Sequence, residues 1–103
     1  MTTRPRNLDD ITATLRSLLP ELRDRWGVQR IGVFGSWARG EQSPESDLDL
    51  LIEFSDSRKI SLLDIVELEL ELSETLGVKV DLVERSALKP EIGRRVLQQV
   101  QPV

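Results

Sequence analysis

The sequence predicts a small α/β sandwich of at least three strands with helices packed against them. Three observations predict it. Three short runs, Val28 to Gly35, Leu48 to Phe54 and Val78 to Glu84, are apolar or β-branched and have the length of strands. Segments with apolar residues at helical spacing precede, separate and follow those runs. Capping residues stand where such helices would begin and end. At 103 residues the expectation is a single domain, 1–103, with one core and no separate substrate-binding unit.

Taken in order, residues 1–6 read as a frayed basic start. Leu8, Ile11, Leu15, Leu18 and Leu19 then recur at helical spacing, with Asn7 and Asp10 placed to cap the helix. Pro20 either ends this helix or opens a second short one through Trp26, and Gly27 stops it. The first two strands follow, and residues 55–59 read as a loop. "VELELEL", 66–72, alternates as a strand would, but leucine and glutamate are good helix formers. A Ser61-x-x-Asp64 capping box, Gly77, and a stripe of Ile65, Leu68, Leu72 and Leu76 favour a helix over 62–76. The third strand comes next. Pro90 opens the last helix, to Gln99, whose apolar face is Ile92, Val96, Leu97 and Val100.

Composition narrows the chemistry. There is no cysteine, hence no disulfide framework and no thiolate metal site. There is no histidine, which removes histidine bases, triads and zinc sites. A metal would need oxygen ligands, which suits Mg²⁺ or Mn²⁺. The net charge of −4 argues against direct nucleic-acid binding. No run is long enough to span a membrane and no secretory signal is seen, so the expected setting is cytoplasmic.

Two acids stand at the entrance of an apolar strand. Because side chains alternate, Asp47 and Asp49 share a face with Leu51 and Glu53, while Leu48, Leu50, Ile52 and Phe54 turn toward helices. The two carboxylates lie roughly 6.6 Å of chain apart, close enough to repel unless a cation sits between them. On the third strand Asp81 faces away from Val80 and Leu82. If the second and third strands are neighbours, three carboxylates share one sheet face, the arrangement a metal-assisted phosphoryl or nucleotidyl transfer needs.

Gly35-Ser36 follows directly on the first strand, and Trp37 to Gly40 can form one helical turn. Glycine lets the backbone approach a ligand closely, and free amides with the Ser36 hydroxyl would suit phosphate. Trp37 reads as packing.

The spacing G-S-x10-D-x-D resembles the signature of the DNA polymerase β-like nucleotidyltransferase superfamily. The string "GSWARGEQSPESDLDLLIEF", with "VDLV" about thirty residues on, is similar to its smallest branch, the minimal nucleotidyltransferase (MNT) antitoxins of HEPN/MNT toxin–antitoxin pairs. The resemblance covers Ile31 to Val83. It implies the polymerase β-like nucleotidyltransferase fold, with a mixed sheet, and an enzyme that transfers AMP from ATP to a tyrosine of a cognate HEPN RNase toxin, held in a hetero-oligomer. It further implies that Gly35 and Ser36 hold the β- and γ-phosphates, that Asp47 and Asp49 bind Mg²⁺ (or Mn²⁺), and that Asp81 is the third carboxylate, acting on the incoming hydroxyl. Arg39, within "ARGE", would contact phosphate or brace the carboxylates, or else form a salt bridge to Glu41 or Asp47. Two other readings stay open: an antitoxin that neutralises by covering its toxin, and a small-molecule nucleotidyltransferase.

Overall fold

The structure, a computed structural model, describes residues 7–55 and 59–103. The basic start expected at 1–6, and 56–58 of the expected loop, lie outside the described residues. The first helix, α1 (Leu8–Glu21), is capped by Asn7, whose side-chain oxygen accepts from the Asp10 amide at 3.0 Å. Pro20 lies inside α1 and neither ends it nor opens a new one. Instead α1 gives way to a π-helical turn over Leu22–Trp26, and Gly27, in the left-handed region, stops it.

Next come strand β1 (Val28–Phe34), the single turn α2 (Ser36–Arg39) and strand β2 (Leu48–Phe54). Helix α3 (Leu62–Leu76) settles the ambiguous alternating stretch. Its capping box is complete, with Ser61 and Asp64 each accepting from the other's amide, and Gly77 closes it. Strand β3 (Val80–Glu84) starts two residues later than its β-branched run. A 3-10 turn over Arg85–Ala87 leads to α4 (Pro90–Gln99). A two-residue strand, β4 (Gln101–Pro102), was not expected.

The sheet is mixed, in the order β3-β2-β1-β4. β1 runs antiparallel to β2 and β4, whereas β2 and β3 are parallel and joined through α3. β4 can lie close against β1 because Gly32 has no side chain; a Cβ there would stand 2.5 Å from Val100. Ile11, Leu15 and Leu19 of α1 and Leu68, Leu72 and Leu76 of α3 pack on Val33, Leu48, Leu50, Ile52 and Val80 to make the core. The opposite face, carrying Asp49, Leu51 and Glu53, is crossed by α4. Of the apolar face expected on α4, only Val96 is buried; Ile92 is 51% and Leu97 43% exposed.

α3 also covers part of the outer edge of β3. The Val80 amide donates to Ser73 Oγ at 2.9 Å and the Leu82 amide to Glu69 Oε2 at 2.8 Å, so two edge donors are met by helix side chains.

Candidate active site

The acids come together through strand register. Asp49 lies opposite Phe34 of β1 on one side and opposite Asp81 of β3 on the other. Parallel partners in register project to the same face, so β2 and β3 bring Asp49 and Asp81 side by side, with Asp47 two residues upstream. Asp47 and Asp81 are exposed and Asp49 is half-buried. Burial first, then the charges of Asp81 and Asp47, push the Asp49 carboxyl above its ordinary value; Arg39 opposes them. The Lys79 ammonium lies 3.9 Å from Asp47, an exposed pair that leaves the cluster short of positive charge.

Gly35 makes the close approach possible. Its φ of 75° and ψ of −152° belong to a region only glycine adopts readily, and a Cβ at this position would overlap the Asp49 carboxylate. The turn that follows β1 therefore presses its backbone directly against the acid on β2. Among the described residues the Ser36 hydroxyl has no hydrogen-bond partner. Trp37, one residue on, is 3% exposed and belongs to the core, as expected.

Arg39 forms the expected ion pair with Glu41, Nε to Oε2 at 2.9 Å, and donates to Gln99 Oε1 at 3.2 Å. It nevertheless lines the same cleft, a space of about 580 Å³ that also exposes Gly35, Ser36, Asp47 and Asp49. The far wall of that cleft is α4, through Ile92, Arg95, Val96 and Gln99. The sequence reading did not place these residues in the site. Their spacing, i, i+3, i+4 and i+7, is that of one helix face, and it carries the same signal whether that face is buried or walls a cleft.

The donor set suits a hard divalent cation. All candidate ligands are carboxylate oxygens, and the like charges around Asp49 are those a cation would relieve. Among the described residues no three acidic groups close around a single metal position. That agrees with the habit of Mg²⁺, which takes one or two carboxylates and completes its shell with substrate phosphates and water.

Asp49 on β2, Asp47 just ahead of that strand, Asp81 on the parallel neighbour and a glycine turn pressed against Asp49 are the arrangement expected of a nucleotidyltransferase site. Residues 15–102 match the nucleotidyltransferase domain family, and the chain belongs to it. Within that class it is 46% identical over 93 residues to the protein adenylyltransferase MntA of Thermococcus cleftensis, covering 90% of this chain and 92% of that protein. A solved structure of a candidate minimal nucleotidyltransferase matches with a TM-score of 0.78 at 41% identity, over 95% of this chain and 97% of the other. A toxin–antitoxin crystallised with AMP-PNP matches with a TM-score of 0.71 at 27% identity, over 84% of this chain and 69% of that one. Among the described residues no helix is long and apolar enough to cross a membrane.

Proposed function

We propose that this chain is the antitoxin of a HEPN/MNT pair and that it transfers AMP from ATP to a tyrosine hydroxyl of its cognate HEPN toxin. The observation that carries the reading is the register of Asp49 against Asp81, beside Asp47 and the Gly35-Ser36 turn. The likeness to a protein adenylyltransferase and to a toxin–antitoxin seen with a nucleotide supports the substrate and the partner. It also favours a protein acceptor over a small molecule.

Each residue has a role in this reading. The Gly35-Ser36 backbone and the Ser36 hydroxyl receive the β- and γ-phosphates. Asp47 and Asp49 would hold Mg²⁺ or Mn²⁺, with Asp81 as the third carboxylate beside them. Such an ion, when bound, neutralises charge on the phosphates and makes the attacking hydroxyl more acidic. Asp81, beside Asp49 and open to solvent, accepts the hydroxyl proton. The hydroxyl oxygen bonds to the α-phosphorus, the bond from that phosphorus to the bridging oxygen breaks, and pyrophosphate leaves.

The test is transfer of label from α-³²P-ATP to the co-expressed toxin. Asp47→Asn and Asp49→Asn should each remove transfer while circular dichroism stays native. Full transfer by either folded variant would overturn the assignment of the acids.

A further inference from the structure

The cleft has a wall that the site residues above do not explain. Ile92, Arg95, Val96 and Gln99 turn one face of α4 toward Asp47, Asp49 and the Gly35-Ser36 turn. Val96 is buried and anchors the helix, but Ile92 is left 51% exposed at the rim of a polar cleft. Arg95 is exposed and, among the described residues, has neither an ion pair nor a hydrogen bond. The other cation of the cleft, Arg39, is engaged by Glu41 and Gln99. Glu45, Asp47 and Asp49 line the same space, so Arg95 is the uncommitted positive charge facing a mostly acidic wall.

Order along the helix matters. Gln99 reaches Arg39, at the end of the single helical turn that begins at Ser36, so this end of α4 lies nearest the Gly35-Ser36 turn. Arg95 sits one turn back, and Ile92 lies about 10 Å back along the axis. A nucleoside triphosphate has that same polarity: an anionic chain at one end and an apolar, flat base at the other.

We propose that α4 is the second wall of the nucleotide site, with Arg95 contacting the phosphate chain and Ile92 packing on the face of the nucleobase. The proposal rests on the nucleotidyltransferase reading of the cleft and adds two residues to it. A guanidinium is suited to phosphate by its planar donors, and an aliphatic side chain can cover a base without selecting among bases by hydrogen bonds.

Calorimetry on the full chain with Mg²⁺, using ATP and inorganic tripolyphosphate as separate ligands, tests it. Arg95→Gln should weaken both ligands by about tenfold, the loss of a charge-assisted contact, and Arg95→Lys should recover part of it. Ile92→Ser should weaken ATP by roughly threefold to tenfold and leave tripolyphosphate unchanged. Both positions are exposed, and thermal melts check that each variant folds. If the wild-type chain binds ATP and both Arg95→Gln and Ile92→Ser bind it equally well, the α4 wall is wrong while the site on β1 and β2 stands. Equal weakening of both ligands by Ile92→Ser would overturn the base contact. A wild-type chain that binds no ATP would overturn the nucleotidyltransferase reading itself.

Discussion

Asp49 is held half-buried between two other carboxylates, and its ionisation works against the fold. Its folded-state pKa is raised above the ordinary 3.8 by burial, Asp81 and Asp47. The folded state therefore holds the proton more tightly than the unfolded chain. The resulting stabilisation is complete below the unfolded value and is lost as pH rises from there through the raised folded value. In the presence of a chelator, Asp49→Asn should remove this loss, raising the melting temperature near neutral pH by a few degrees while abolishing transfer. Melts of both proteins from about pH 3.5 to pH 7 check it: the two curves should converge at the acid end. A variant no more stable than wild type at pH 7 would mean that Asp49 is not under electrostatic load. Gly35 shares in the arrangement, since any side chain there would displace the very carboxylate the site is built around.

At the scale of elements, α3 shows how much of the fold can be read from local chemistry. Alternation in 66–72 could not decide between strand and helix, because leucine and glutamate at every second position also put residues on a helix face. The ends decided it: Ser61, Asp64 and Gly77 make the cap contacts expected of them. Leu68, 1% exposed, is the centre of its buried stripe. Leu68→Ala should destabilise the protein by about 2 to 5 kcal/mol, depending on how far the core relaxes, as read from urea denaturation. A loss below about 1 kcal/mol would contradict the packing described. Other elements were not legible. β4 is two residues long and includes a proline, so it has neither length nor periodicity; it exists because Gly32 leaves room for it on β1. The π-helical turn has no composition signal of its own; it stands where a second short helix through Trp26 was expected, and Pro20 lies one residue before α1 ends. α4 was identified as a helix, but its apolar pattern could not say that Ile92 and Leu97 stay largely uncovered.

For the whole molecule, the division of labour runs between the two faces of the sheet. One face is covered by α1 and α3 and supplies the core; the other carries the acids and is only partly crossed by α4. Strand alternation led to the expectation that Asp47 and Asp49 share a face; the two line one cleft, with Asp47 just ahead of β2. That Asp81 joins them required knowing that β2 and β3 are neighbours, which depends on topology and not on local sequence. The Asp81 side chain also separates catalysis from mere cover of the toxin. Under the proposed function, Asp81→Asn should bind ATP nearly as well as wild type, keep its grip on the toxin, and lose transfer by at least about a hundredfold, the usual scale of a missing general base. Cells expressing toxin with this variant should fail to grow. Growth without AMP on the toxin, checked by mass spectrometry of the intact protein, would show that cover alone neutralises.

The partly covered edge of β3 has a bearing on how any partner meets this protein. Two outward amides of this strand, those of Val80 and Leu82, are already taken by Ser73 and Glu69, which removes part of the template along which another chain could extend the sheet. The other boundary, β4, is two residues long and ends in a proline, which has no amide to donate. Both edges thus favour recognition by side chains over backbone pairing. Backbone pairing reads little beyond an extended shape, whereas a side-chain surface changes with each substitution. A protein built this way can diverge in partner choice one surface residue at a time, while the strands that position Asp49 and Asp81, and Asp47 just ahead of them, stay as they are.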